Sequence, residues 1–188
     1  MKIGIISDTH RKLKKAQKAL NVLLENGAEF IVHAGDIVEV EVLDLLKNCG
    51  KEYVAVYGNN DAHLFSHQED YNLVQEPHYF KLADTTFKLM HLPRYMTPDA
   101  EVVLFGHTHI FKSEFKNGTL VLNPGEACAR DKSVSQCAML EISDEHFEVT
   151  HFTRKNKTKV FTTKTYKYAK KPQWIKRFFY ALFVISIV

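Results

Sequence analysis

The sequence has little cysteine, no acidic residue after Glu148, and no long apolar run at its N-terminus. Cys49, Cys128 and Cys137 are odd in number and lack CxxC spacing. That pattern excludes a disulfide framework or a zinc knuckle and fits reduced, half-buried thiols. Met1 to Ser7 run straight into a strand-like pattern, without the apolar h-region and small-residue cleavage site of a secretory signal, so the expected location is the cytoplasm. There is no internal repeat and no low-complexity linker. All 22 acidic residues precede Val149, whereas ten of the 25 Lys and Arg follow Glu148. The net charge of +3 therefore conceals an acidic body and a basic tail. A length of 188 residues with 45% apolar content suits one domain with a sizeable core and an appendage.

Periodicity predicts strands at Lys2–Ser7, Phe30–Val32 and Tyr53–Tyr57, with amphipathic helices at Lys12–Asn26 and Val40–Lys47 between them. Such alternation implies βαβ units and a parallel sheet. After Asp61 the pattern turns antiparallel. Tyr79–Leu82 and Thr86–His91 read as a hairpin around Ala83-Asp84-Thr85. Glu101–Phe105 reads as a strand, and Phe111–Phe115 pairs with Thr119–Leu122 through Asn117-Gly118, a strong turn signal. Further strands are expected at Gln136–Ile142, His146–Phe152 and Lys159–Lys167. The expected fold is α/β, a two-sheet sandwich flanked by helices.

The informative feature is where the Asp, Asn and His residues fall. Asp8-Thr9-His10 follows the first strand, Gly35-Asp36 the second, and Gly58-Asn59-Asn60-Asp61 the third. His91 closes a later strand, and Gly106-His107-Thr108-His109 another. Ligands of open α/β sheets bind beyond the carboxyl ends of the strands, so the five clusters should converge on one rim. Carboxylates, an amide oxygen and imidazoles make a poor packing core but a good nest for divalent cations. Each cluster alone is a weak sign; five in order, each closing a strand, are a strong one.

The order Asp8-x-His10, Gly35-Asp36, Gly58-Asn59-x-Asp61, His91, Gly106-His107-x-His109 resembles the calcineurin-like metallophosphoesterase superfamily. Asn123-Pro124-Gly125 and the short chain resemble its small bacterial and archaeal phosphodiesterase branch, over residues 1–168. The resemblance implies a binuclear site for two divalent ions (Mn, Ni, Fe or Zn, with Mn favoured). Asp8, His10 and His109 would hold one, Asn59, His91 and His107 the other, and Asp36 would bridge them. It further implies a phosphate-ester substrate, a diester before a monoester, attacked by a hydroxide held between the metals. Asp36, Asn60 and Asp61 are the residues expected at the reacting centre.

Three departures from the family pattern stand out. Asn60 occupies the position where many members carry a His, and an amide can hydrogen-bond to a leaving oxygen but cannot protonate it. Met90-His91-Leu92-Pro93 replaces a His-Gly-His. Only nine residues separate His91 from Glu101, too few for the helix usual there, which leaves one wall of the cleft low. Glu126 and Arg130 are within plausible reach of substrate, though a structural role fits them better. His33 is a candidate for orienting Asp36. His63, His67, His78, His146 and His151 read as ordinary surface histidines.

Residues 169–188 form a tail in which Phe178–Val188 is almost wholly apolar. As a helix it would be about 17 Å long, against about 30 Å of hydrocarbon, too short to span a bilayer. It could lie at the inner face of the membrane with Lys170, Lys171, Lys176 and Arg177 on anionic headgroups, fold back on the domain, or make a homodimer contact. Two other functions stay open. One is a protein–protein scaffold, as in the phosphoesterase-like subunit of retromer; the other is nucleic-acid binding through the basic last third, although nucleic acid is not the favoured partner.

Overall fold

The computed structural model describes residues 1–170. Short β-rich segments alternate with two amphipathic helices in the first third: β1 (Lys2–Ile6), α1 (Leu13–Glu25), β2 (Phe30–His33), α2 (Val40–Lys47) and β3 (Glu52–Val56). β1, β2 and β3 pair in parallel. β4 (Leu73–Val74) adds a fourth parallel strand after a 3₁₀ turn at Ala62–His67. The remaining strands are β5 (His78–Leu82), β6 (Thr85–Leu89), β7 (Val102–Leu104), β8 (Lys112–Lys116), β9 (Thr119–Asn123), β10 (Val134–Ile142), β11 (His146–Lys155) and β12 (Thr162–Ala169). They assemble as a seven-stranded sheet, β12-β11-β10-β1-β2-β3-β4, and a five-stranded sheet, β5-β6-β7-β9-β8.

Alternation along each strand divides the apolar residues between two layers. Ile3, Ile5, Val32 and Val54 face Phe87, Leu89, Val102, Leu104 and Leu122 between the sheets. Ile6, Ile31 and Ala55 turn the other way, onto Leu20 and Leu23 of α1 and Leu43 and Leu46 of α2. The α/β two-sheet sandwich read from the sequence is the observed fold. Both helices and nearly all the strands lie within two or three residues of their expected bounds.

Four local features differ from the sequence reading. The β5–β6 hairpin closes on two residues rather than three, because Ala83 and Asp84 both take positive φ (45° and 58°) and Thr85 pairs with Leu82. That is the primed geometry which hairpin twist favours. β4 and the 3₁₀ turn were not expected, since two residues carry no periodic signal. The last strand begins three residues late, at Thr162. Finally, the short 92–100 segment is clamped over the outer face of the second sheet. Lys88, 1% exposed, donates from Nζ to Thr97 Oγ1 at 2.7 Å and to Asp99 Oδ1 at 3.0 Å. A buried ammonium needs such partners.

Among the described residues no helix is long and apolar enough to cross a membrane. The expectations for the apolar run Phe178–Val188, whether membrane contact, fold-back or dimer contact, lie outside the described residues. Of the expected tail, Ala169 instead closes β12 against His146 and Lys170 donates from Nζ to Ser143 O at 2.7 Å.

Candidate metal centre

The parallel strands run so that β1, β2 and β3 all end at one rim, joined there by the ends of β6 and β7. The backbone turns abruptly at each end. Asp8, His10, Asp36, His107 and His109 have φ of 53°, 43°, 55°, 64° and 58°. Non-glycine residues are uncommon in that left-handed region, with Asp and His among the more tolerant. At about 1–3 kcal/mol each, such residues gather at functional sites where the surroundings enforce them. Backbone also approaches backbone closely here. A Cβ on Gly58 would lie 2.2 Å from the Asp36 amide nitrogen, and one on Gly106 would lie 2.1 Å from Ser7 Oγ. No side chain fits at either position.

All seven expected ligands come together. Asp8 Oδ1 lies 3.1 Å from His109 Nε2, and His10 Nε2 lies 3.4 Å from the same nitrogen and 3.7 Å from Asp36 Oδ2. On the other side, Asp36 Oδ1 is 3.4 Å from His91 Nε2. Asn59 Oδ1 is 3.1 Å from His91 Nε2 and 3.0 Å from His107 Nδ1. The two oxygens of Asp36 thus face two separate donor groups. Donor atoms sharing one ion at about 2.0–2.2 Å sit about 3–3.5 Å apart, which matches this spacing.

The protonation pattern also suits cations. His91 Nδ1 is 2.8 Å from the Ala34 carbonyl, an acceptor only, so that nitrogen carries the hydrogen and Nε2 presents its lone pair. His109 Nδ1 sits 2.9 Å from Glu126 Oε2 and 3.0 Å from Asp131 Oδ2, which directs its Nε2 inward in the same way. Asp8 Oδ1 is buried without a hydrogen bond of good geometry, while Asp8 Oδ2 accepts from Ser7 Oγ at 2.7 Å and from the His107 amide at 3.2 Å. The Asp8 carboxylate, 3.1 Å from His109 Nε2, raises the His109 pKa despite burial. Burial alone would lower that of His91, but Asp36 overrides it and raises it. Burial works against the Asp36 carboxylate too, yet hydrogen bonds from His91 and Asn60 hold its pKa well below the usual range. The carboxylates that draw protons onto His91 and His109 would draw metal cations too, whereas burial lowers the pKa of His10.

Of the residues expected at the reacting centre besides Asp36, Asp61 is turned away from the donor groups and Asn60 sits against Asp36. Asp61 is fully buried, and its carboxylate accepts from the amides of Ile37 at 3.1 Å, Val38 at 2.8 Å and Gly58 at 2.7 Å. It ties the second loop to the third. Asn60 holds Asp36, with its amide nitrogen 3.0 Å from Oδ1 and its Nδ2 2.7 Å from Oδ2. His33 reaches Asp36 through Thr9: its Nε2 contacts Thr9 Oγ1 at 3.1 Å, that hydroxyl lies 3.4 Å from the Asp36 carbonyl oxygen, and burial takes the His33 pKa down to about 4.

Two neighbours of the centre had little or no sequence signal. Glu126, fully buried, also accepts from the amides of Arg130, Asp131 and Lys132 and from the Cys128 thiol at 3.2 Å. Burial and that carboxylate push the Cys128 thiol up to about 12. The position of Glu126 behind Asn123-Pro124-Gly125 hinted at a structural role; nothing in the spacing pointed Cys128 to this site.

Residues 1–145 match the calcineurin-like phosphoesterase superfamily domain. The chain is 28% identical over 160 residues to the phosphodiesterase MJ0936 of Methanocaldococcus jannaschii, covering 78% of this chain and 96% of that protein. A solved structure of a novel archaeal phosphodiesterase is 26% identical with a TM-score of 0.68, over 88% of this chain and all of that one. Vps29 of Entamoeba histolytica, solved with Zn²⁺, shares the fold at 20% identity and a TM-score of 0.66, over 90% of this chain and 99% of that one.

Proposed function

Because this chain belongs to the calcineurin-like phosphoesterase superfamily, we propose that it is a phosphodiesterase with a binuclear divalent-metal site, Mn²⁺ being the favoured ion. The observation that carries this reading is Asp36, with Oδ2 toward His10 and Oδ1 toward His91. Asp8, His10 and His109 would hold one ion with Asp36, and Asn59, His91 and His107 the other. Bound divalent cations supply Lewis acidity, neutralising phosphoryl charge and making a water acidic enough to act near neutral pH.

The chain's own groups do the rest. Ser7 orients Asp8, and the Ala34 carbonyl and Glu126 fix the tautomers of His91 and His109, the outer support on which ligand geometry depends. Asp61 holds the Gly58 and Ile37–Val38 loops together so that Asp36 and Asn59 face each other. Asn60 keeps Asp36 aligned and has no proton to give a departing alcohol. A diester with an acidic leaving group is the substrate such a site handles best, and the kinship with a protein named as a phosphodiesterase supports the diester. Seven competent ligands held at ligand spacing favour an enzyme over a scaffold.

The test is hydrolysis of bis(p-nitrophenyl) phosphate and p-nitrophenyl phosphate by Mn²⁺-reconstituted protein, with bound metal measured in the same sample. About two ions per chain and faster diester turnover are expected; full activity after metal removal would end this reading. In a leaving-group series, rates should fall steeply as the alcohol becomes more basic. Asn60→His should flatten that slope if protonation limits the reaction.

A further inference from the structure

An open cleft of about 380 Å³ adjoins the centre on the His10 side, and its lining includes Arg11, Lys12, Arg130, His63, His10 and Asn60. Among the described residues no carboxylate lines it. This is unlike the chain around it, whose first 148 residues hold all 22 acids. His10 and Asn60 belong equally to the metal centre, so the cleft and the centre share a wall.

Arg130 is the cleft residue linked to the centre through Asp131. Its Nε donates to Asp131 Oδ1 at 3.0 Å, and Asp131 Oδ2 in turn lies 3.0 Å from His109 Nδ1. A guanidinium has five N–H donors in a rigid fork. Asp131 engages the Nε edge, and the side chain remains 55% exposed. The loop that carries Arg130 also meets a basic turn. Asn156, in the turn between β11 and β12, donates its amide to Ser133 O at 3.0 Å, bringing Lys155 and Lys157 alongside the loop that carries Lys132.

We propose that this cleft binds a second, non-reacting phosphate of the substrate, so that the enzyme prefers phosphodiesters carrying further phosphate groups over isolated ones. Arg130 and Arg11 supply planar, charge-assisted contacts of the kind that phosphate oxygens accept in pairs, and Lys12 adds a point charge. Two sources present that chemistry: the next phosphate of an oligonucleotide, and the further phosphates of a nucleoside polyphosphate. The inference rests on the phosphodiesterase reading but is tested apart from it.

Binding to Mn²⁺-loaded protein would be titrated calorimetrically with thymidine 5′-monophosphate, thymidine 3′,5′-bisphosphate and thymidine 5′-triphosphate. Hydrolysis of bis(p-nitrophenyl) phosphate would be followed in parallel. At least one of the two multiply phosphorylated ligands should bind about tenfold or more tightly than the monophosphate, the effect of one charge-assisted contact. The bisphosphate winning identifies an oligonucleotide-like substrate, and the triphosphate winning a nucleoside polyphosphate. In the Arg11→Ala/Arg130→Ala variant that preference should collapse toward unity, by a larger factor than any loss of bis(p-nitrophenyl) phosphate turnover. A Lys/Lys variant, which keeps the charge without the fork, should restore part of it. Equal binding of all three ligands, or a preference that survives the double substitution, overturns the inference even if the diester is hydrolysed. Absence of diester hydrolysis alone would instead count against the phosphodiesterase reading.

Discussion

The two donor groups on either side of Asp36 are built to different standards. On one side Asp8 is fully buried and His109 is 5% exposed, and both have outer partners in Ser7 and Glu126. On the other, only His91 is buried, while Asn59 and His107 are exposed. The first group adds a carboxylate of its own to the shared Asp36; the second adds a neutral amide. A divalent cation is held by ligand charge and by rigidity of the supporting shell, and both favour the Asp8 side. On the proposed binuclear reading, one position would be tight and the other labile, joined by a single carboxylate.

The largest expected effect comes from removing what the two sides share. Asp36→Asn should lower metal content at both positions and cut diester hydrolysis by at least about a hundredfold. Loss of an outer partner alone costs 10–100-fold, and a direct ligand costs no less. A variant with both ions and full turnover would remove the bridge from the scheme. Asn59→Ala sharpens the asymmetry. It should bring the stoichiometry from about two ions to about one, whereas wild-type protein dialysed against a weak chelator should pass through the same one-ion state. Simultaneous loss of both ions in either experiment would mean that the two sides are equivalent.

Glu126→Gln probes the stronger side alone. Keeping the shape while removing the charge should weaken one metal position about tenfold and leave the Asn59 side as it was, measured by competition with a metal indicator. A uniform weakening of both would reduce Glu126 to a loop brace.

The last effect lies away from the centre and falls on folding stability rather than on the metal. His151 is 8% exposed, stacks on Phe111 with ring centroids 3.7 Å apart, and has its pKa lowered by burial to about 4. The unfolded chain binds this proton at about pH 6.5 and the folded one does not until about pH 4. The group's contribution is therefore present above pH 6.5 and lost as pH falls toward 4, by about 3 kcal/mol at most. His33, with the same lowered value, adds to the slope. Melting temperatures of His151→Gln between pH 6.5 and 4 should fall less steeply than those of the wild type. Parallel curves would show that His151 is not the sensor.

Much of this was legible because the signals are local. A period of two or 3.6 marks the strands and helices, and Asn117-Gly118, with φ of 53° and 87°, closes its hairpin by its own backbone preferences. The identities of the seven donors, and their place just after strand ends, are likewise properties of short segments. What had to wait for the tertiary structure is which donor meets which. Asp8 and His109 are about a hundred residues apart in the chain, and only strand order and register bring them to 3.1 Å. The same holds for Asp61, which spacing put at the reacting centre and packing turned toward three amides. It holds for Glu126 and Cys128 as well, whose partners His109 and Asp8 come from the loops after β7 and β1. Local sequence sets donor chemistry and backbone period because both depend on a few adjacent residues; partnership depends on long-range pairing, which short-range spacing does not encode.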